Sequence, residues 1–191
     1  MKTDRTSKIN KPFLYIWILV IIVCFSSYII YPNFFKAENL SNFFKSFNQY
    51  MIFIYMFLFM IRGFTLIPGT PFVIVGALLF PSSPFTVLFI SLICMTVSSI
   101  ILYFFSEFLG FDKLFRDKYP EKIEEAKKKL DSPKGFLFIL LWSLFPLIPT
   151  DLICYLAGTV RMKLPIFLLA VFLGELVICS FYIFGFQQIY N

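Results

Sequence analysis

Apolar runs dominate the chain and are separated by short polar interruptions. Residues 12–35, 50–61 and 84–106 carry no charged side chain, whereas 112–134 carries fourteen. Phe13 to Tyr31 is long enough to cross a bilayer, because a helix rising about 1.5 Å per residue needs roughly twenty apolar residues for a hydrocarbon layer of about 30 Å. Pro32 stops it. From Asn33 to Phe47, Leu40, Phe43, Phe44 and Phe47 follow the i, i+3, i+4, i+7 spacing, with Lys36, Glu38, Asn42, Lys45 and Ser46 elsewhere on the wheel. That pattern predicts an interfacial helix lying on the membrane.

Residues 50–80 are apolar for longer than one span, yet Arg62-Gly63 and then Leu66-Ile67-Pro68-Gly69-Thr70-Pro71 interrupt them. A lipid-facing break would leave backbone groups unpaired in hydrocarbon at several kcal/mol each. The break therefore sits at a surface or lines a protected polar cavity. Pro81-Ser82-Ser83-Pro84 makes a turn, and Pro84 to Glu107 is a clean span. Residues 112–134 read as a water-facing helix with Phe115, Tyr119, Ile123, Ala126 and Leu130 on one face. Its acids come early and its lysines late, which complements the helix dipole and offers Glu124–Lys128 and Glu125–Lys129 as i,i+4 pairs. A second interrupted segment, 135–158, breaks at Phe145-Pro146-Leu147-Ile148-Pro149-Thr150-Asp151. Leu164 to Phe186 is the last span, with Glu175 at its middle.

The two breaks align. Phe64-Thr65-Leu66-Ile67-Pro68 matches Phe145-Pro146-Leu147-Ile148-Pro149 at an offset of 81 residues, and each is followed by a glycine, Gly76 or Gly158. Paired Gly/Pro-interrupted segments in two halves of a membrane protein point to a transport site. If each broken segment enters and leaves on one side, and the N-terminus is cytoplasmic, fourteen of the seventeen Lys and Arg residues face the cytoplasm. This satisfies the positive-inside rule, and the two repeats then have opposite orientation. The fold class expected is an all-α membrane protein: transmembrane helices plus two opposed re-entrant helical hairpins forming an inverted repeat. The alternative, in which each broken segment spans fully, stays open at this point.

Composition narrows the function. With 59% hydrophobic residues, 15% charged and a mean hydropathy of +0.83, the chain has too little polar surface to cover a soluble globule. The net charge of +6 sits beside apolar spans, so nucleic acid is not an expected partner. Lys2, Arg5, Lys8 and Lys11 precede an apolar run too long for a signal peptide and lacking a small-residue cleavage pattern, which predicts an uncleaved first helix. Cys24, Cys94, Cys154 and Cys179 lie in apolar stretches and read as small buried hydrophobes, not as a disulfide framework. There is no histidine and no carboxylate cluster with metal-ligand spacing, so no metal, no cofactor and no catalytic residue is expected, and an intramembrane enzyme is disfavoured.

At Ile67-Pro68-Gly69-Thr70-Pro71 with Gly76, at Tyr103 through Gly110, and at Phe145 through Gly158 ending in Tyr155-Leu156-Ala157-Gly158, the sequence resembles the VTT-domain proteins, the SNARE-associated superfamily that includes the DedA-like proteins. The resemblance covers roughly residues 50 to 190. It implies the opposed re-entrant hairpins and a role in scrambling or flipping phospholipids or polyprenyl phosphates. The chain divides accordingly into 1–48, an N-terminal span with its interfacial helix, and 49–191, a VTT-like domain with repeat 1 at about 50–110, the loop helix 112–134 and repeat 2 at about 135–190. Relatives commonly carry an arginine near position 107 and another three residues before the proline of the second hairpin. This chain has Glu107 and Ser143 there.

The candidate site is the set of ionisable residues in or near the membrane: Arg62, Asp151 and Glu175, with Glu107 at the cytoplasmic rim. Each costs about 2.5–3.5 kcal/mol at a helix centre, so it should face protein or water and have a partner. Arg62 would hold a phosphate or carboxylate, and Asp151 or Glu175 would be its counter-ion or a proton acceptor; a static ion pair that locks the hairpins is the competing reading. Pro68, Gly69, Thr70, Pro71, Pro146, Pro149, Thr150, Gly76 and Gly158 are the backbone residues expected at the hairpin tips. These features lead to a lipid translocator working in a polar groove between the hairpins. The alternatives are a proton-coupled small-anion carrier and a membrane assembly factor. The partners expected are membrane lipids, with an anionic headgroup as candidate substrate and room for a homo-oligomer. The location expected is a bacterial cytoplasmic (plasma) membrane, crossed several times, with the N-terminus and 112–134 inside.

Overall fold

The structure, a computed structural model, describes residues 11–190 except Leu147, and within its helices leaves aside the side chains of Lys11, Leu114, Gln187, Ile189 and Tyr190. The expected cytoplasmic placement of Lys2, Arg5 and Lys8 falls outside these residues. The described residues form ten α-helices joined by turns and short 3₁₀ segments. In order they are α1 (Lys11–Ile30), α2 (Ala37–Lys45), α3 (Met51–Ile61), α4 (Thr70–Leu79), α5 (Pro84–Phe108), α6 (Phe111–Lys118), α7 (Pro120–Leu130), α8 (Pro133–Ser143), α9 (Thr150–Thr159) and α10 (Leu164–Tyr190). Three of them, α1, α5 and α10, are long and apolar enough to cross a membrane.

Helices α5 and α10 form the central antiparallel pair. Phe85 meets Phe184 at 5.3 Å between ring centroids, Met95 Sδ lies 3.8 Å from Cys179 Sγ, and Tyr103 meets Phe167 at 5.7 Å. Around this pair the two broken segments fold as hairpins of matched length, with limbs of 11 and 10 residues in each case. In the first, Phe59 stacks on Phe72 at 5.5 Å and the Tyr55 hydroxyl donates to the Phe72 carbonyl at 2.9 Å, which brings α4 back along α3. In the second, the Lys163 amide donates to the Asp131 carboxylate at 2.8 Å, closing the base of α8 and α9. Limbs of that length rise about 15–17 Å, half of a hydrocarbon layer of about 30 Å.

The two hairpins point at each other. The first has its base beside the start of α5, and its helix α3 runs parallel to α5, with Cys94 and Ser98 donating to the carbonyls of Met56 and Met60. The second has its base beside the end of α5, where Tyr103 donates to the Met162 carbonyl at 2.6 Å. Repeat 1 and repeat 2 also exchange partners: α4 packs on α10, and α9 packs on α5. In hydrocarbon, helices associate through close packing and hydrogen bonds, so small residues mark the contacts. Gly158 is one: a Cβ there would collide with the Tyr103 backbone carbonyl and Ser106 Oγ.

Helix α1 lies along the outside of this core with most of its large apolar side chains exposed. Phe13 meets Phe108 at 5.6 Å and Trp17 meets Tyr155 at 5.1 Å, so α1 starts at the end of the bundle that carries α6 and α7.

Two expectations need correction. The apolar face of 33–47 is not left free for lipid throughout: α2 buries Leu40 and Phe44 against the protein, Phe44 meeting Tyr55 at 5.4 Å and Phe72 at 6.4 Å. Phe43 is left exposed. The stretch 112–134 is not one helix. Pro120 pushes Tyr119 out of the helical region, to φ −140° and ψ 60°, and the chain turns there. Phe115 and Tyr119 consequently stay exposed, while Ile123, Ala126 and Leu130 pack on the body. Of the two ion pairs expected on that helix, Glu125–Lys129 closes at 2.7 Å, and the hydrogen bond from Lys129 holds the Glu125 carboxyl below its ordinary pKa.

Candidate functional site

The interrupted backbone of the first hairpin supplies the site's frame. After α3 the chain tightens into a 3₁₀ turn at Arg62–Thr65, and Leu66 adopts a left-handed conformation at φ 58° to reverse direction. Carbonyls freed by the break are met by side chains: Ser98 donates to Met60, Thr65 to Arg62 at 2.7 Å, and Arg62 Nη1 to Ile67 at 3.0 Å. This is how irregular backbone survives away from water. Two glycines make the space. A Cβ on Gly69 would lie 2.6 Å from Arg62 Nη2, and one on Gly63 would lie 2.9 Å from Asp151 Oδ1.

Arg62 Nη1 also donates to Asp151 Oδ2 at 2.8 Å, a bridge between the two hairpin tips with 6% and 4% of the two residues exposed. Of the two counter-ions the sequence allowed, the structure pairs Asp151. The Arg62 guanidinium sits 5.3 Å from the Phe59 ring, and its Nε has no hydrogen-bond partner among the described residues. Glu175, 4% exposed, accepts from Thr150 Oγ1 at 2.7 Å and lies 3.9 Å from Cys179 Sγ; among the described residues it makes no ion pair. Glu175 is at the midpoint of the apolar stretch Leu164–Phe186, and Ser98, beside Asp151, is within a turn of the midpoint of Pro84–Phe108. The charges therefore gather at half the height of the bundle.

A slot of about 30 Å³ opens between the tips. Arg62 and Glu175 line it, together with Thr70, Thr150 and Ser143 and the tip residues Pro68, Gly69, Pro146 and Pro149. It has room for one or two waters, not for a phosphate ester. Pro68, Thr70, Pro146 and Pro149 also form the rim of a second space, an apolar groove of about 570 Å³ that runs past Pro71 to Phe25, Tyr28, Phe35 and Tyr182. A small polar slot thus lies next to a large apolar groove beside α1.

The family model of the VTT domain matches residues 67–188, well over half of the 191-residue chain. The chain belongs to the VTT-domain family. Searches of curated proteins and of solved structures returned no match. Within this VTT-domain protein the charges depart from the pattern of the resemblance in a way the repeat makes intelligible. Arg62 and Ser143 are 81 residues apart, as are Thr70 and Asp151, and all but Asp151 line the slot. The arginine expected at position 143 thus has its counterpart at the repeat-related position 62.

Not every candidate belongs to this site. Glu107 lies at the far end of α5, where it bonds Arg161; Arg161 also holds the buried Asp112 at 2.9 Å. Arg161 has φ 53°, and its side chain ties the end of α9 to the end of α5 and the start of α6. Sequence reasoning missed this cluster because Arg161 and Asp112 lie 49 residues apart and no motif links them. Gly76 and Gly158 also leave the tips: they lie inside α4 and α9, where helices approach closely, Gly76 against Tyr55 and Val87 and Gly158 against α5. Pro71 faces the apolar groove rather than the slot. The tip motif residue Leu147 lies outside the described residues. Cys94, Cys154 and Cys179 are buried thiols without disulfide bonds, and Cys24 is half-buried.

Proposed function

We propose that this VTT-domain protein translocates membrane lipids, passing the headgroup through the slot between the hairpin tips while the tails stay in hydrocarbon. The observation that carries the reading is the shared rim. A charged polar slot at half height shares four lining residues, Pro68, Thr70, Pro146 and Pro149, with an apolar groove, and an amphiphile needs both. In this reading the hairpins are re-entrant, each reaching the bilayer midplane from its own face, and the short limbs support that. The slot is closed as seen, so passage requires the tips to part and the Arg62–Asp151 bridge to open. The protein moves lipid without covalent chemistry, as a monomer or a homo-oligomer. It would sit in a bacterial cytoplasmic membrane with the N-terminus and the α6–α7 segment in the cytoplasm, which the distribution of Lys and Arg favours.

The test is transbilayer movement of acyl-labelled fluorescent phospholipid in liposomes containing the purified protein. Wild type is expected to equilibrate the leaflets at least tenfold faster than protein-free vesicles. Asp151→Asn and Arg62→Gln are expected to remove most of that rate from protein that remains folded. Absence of movement with folded wild type would overturn the reading. The slot's size, about 30 Å³, favours one second reading, a small-anion carrier with Glu175 taking up the proton. Anion flux without lipid movement in the same liposomes would select it.

A further inference from the structure

The slot presents charges of both signs, and this limits what can enter it. The Arg62 guanidinium, backed by Asp151, lines it, and so does Glu175, whose hydrogen-bond partners among the described residues are the Thr150 hydroxyl and the Cys179 thiol. A plain anion entering the slot would meet Arg62, but would also meet Glu175 there and displace Asp151 from its ion pair with Arg62. Both carboxylates would then be buried beside a third negative charge, in a medium that screens poorly. An amine-phosphate zwitterion enters by exchange. Its phosphate accepts from Arg62, whose Nε–H is without an acceptor, and its ammonium donates to Glu175 or to the released Asp151. Two cations then face three anions, so one carboxylate is left without an ion-pair partner, where a plain anion would leave two.

We propose that the slot selects lipids with a zwitterionic amine-phosphate headgroup over phospholipids that are purely anionic, with Glu175 as the ammonium-recognising residue. The inference rests on the translocation reading above. It assigns Glu175 a role separate from that of Arg62: the arginine serves any phosphate, whereas Glu175 discriminates by what else the headgroup carries. The Thr150 hydroxyl donates to one Glu175 oxygen and holds the carboxylate toward the slot, making Thr150 a positioning residue.

The experiment compares three acyl-labelled tracers in phosphatidylcholine liposomes containing the full-length protein: phosphatidylethanolamine, phosphatidylglycerol and phosphatidic acid. Wild type is expected to move the ethanolamine lipid at least tenfold faster than either anionic lipid. Glu175→Gln is expected to remove that preference, slowing the ethanolamine tracer about tenfold while the glycerol tracer, relieved of the carboxylate it meets in the slot, moves faster. Glu175→Asp keeps the charge and is expected to retain a preference, which separates recognition from a folding defect. Equal rates for the three tracers in wild type, a faster anionic lipid, or an equal slowing of all three by Glu175→Gln would overturn the selectivity. If none of the three tracers moves with folded wild type, the translocation reading itself falls, and the selectivity with it.

Discussion

Replacing Asp151 with Leu is expected to lower the stability of the protein by about 3–5 kcal/mol, because it leaves the Arg62 guanidinium buried without its counter-ion. The matching replacement, Arg62→Met, is expected to destabilise by a similar amount for the converse reason, with the Asp151 carboxylate stranded beside Ser98. The double variant Arg62→Met/Asp151→Leu should recover most of the loss, since an apolar pair of similar volume removes both desolvation penalties together. A double-mutant cycle by equilibrium unfolding in detergent micelles measures this directly. The cycle also separates two roles for the bridge. If the pair only locks the hairpins, the folded double variant should still move lipid; if the pair lies on the headgroup's path, that variant is stable and inert, which is the result expected.

The second large effect is expected at a position outside the slot. Gly158→Ala would place a methyl group onto the Tyr103 backbone carbonyl, and neither α9 nor α5 can yield without moving a helix. The loss should be about 3 kcal/mol or more, at the upper end of the range for overpacking, and should appear as a lower unfolding midpoint and a lower yield of folded protein. Gly185→Ala is the control. A Cβ there meets nothing within 4 Å, so its midpoint should match or slightly exceed that of wild type. The contrast tests whether the contact between the second hairpin and α5 holds the bundle together.

The sequence already showed much of this architecture, and the reasons are physical. Pro68, Pro146 and Pro149 cannot continue a helix, so the two apolar segments had to break, and the 81-residue offset between the breaks made the repeat visible. Buried charge is costly in hydrocarbon, which is why Arg62, Asp151 and Glu175 could be singled out before their positions were known. The structure brings those three together at half height. Partner choice was not legible. Arg62 could have met either carboxylate, and what decides is that Gly63 lets Asp151 approach from α9 while Thr150 occupies Glu175. The partner of Glu107 was not legible either, because Arg161 comes from a turn whose left-handed backbone no pattern of apolar residues announces. The amphipathic face of α2 was legible, but not whether lipid or protein covers it, since Leu40 and Phe44 would suit both. The bend at Tyr119 could have been read from Pro120, a signal the helical periodicity across 112–134 concealed.

The site, the exchange of charges and the passage of a headgroup all require the hairpins to open toward opposite faces of the membrane. Ser82, in the turn at the base of the first hairpin, and Lys134, at the base of the second, are exposed and lie at opposite ends of the bundle. Each can be changed singly to cysteine in a background lacking the four native cysteines, and probed in sealed, right-side-out vesicles with a membrane-impermeant thiol reagent. Ser82→Cys is expected to react from outside, and Lys134→Cys only after the vesicles are permeabilised. Labelling of both positions from the same side would contradict hairpins of opposite orientation.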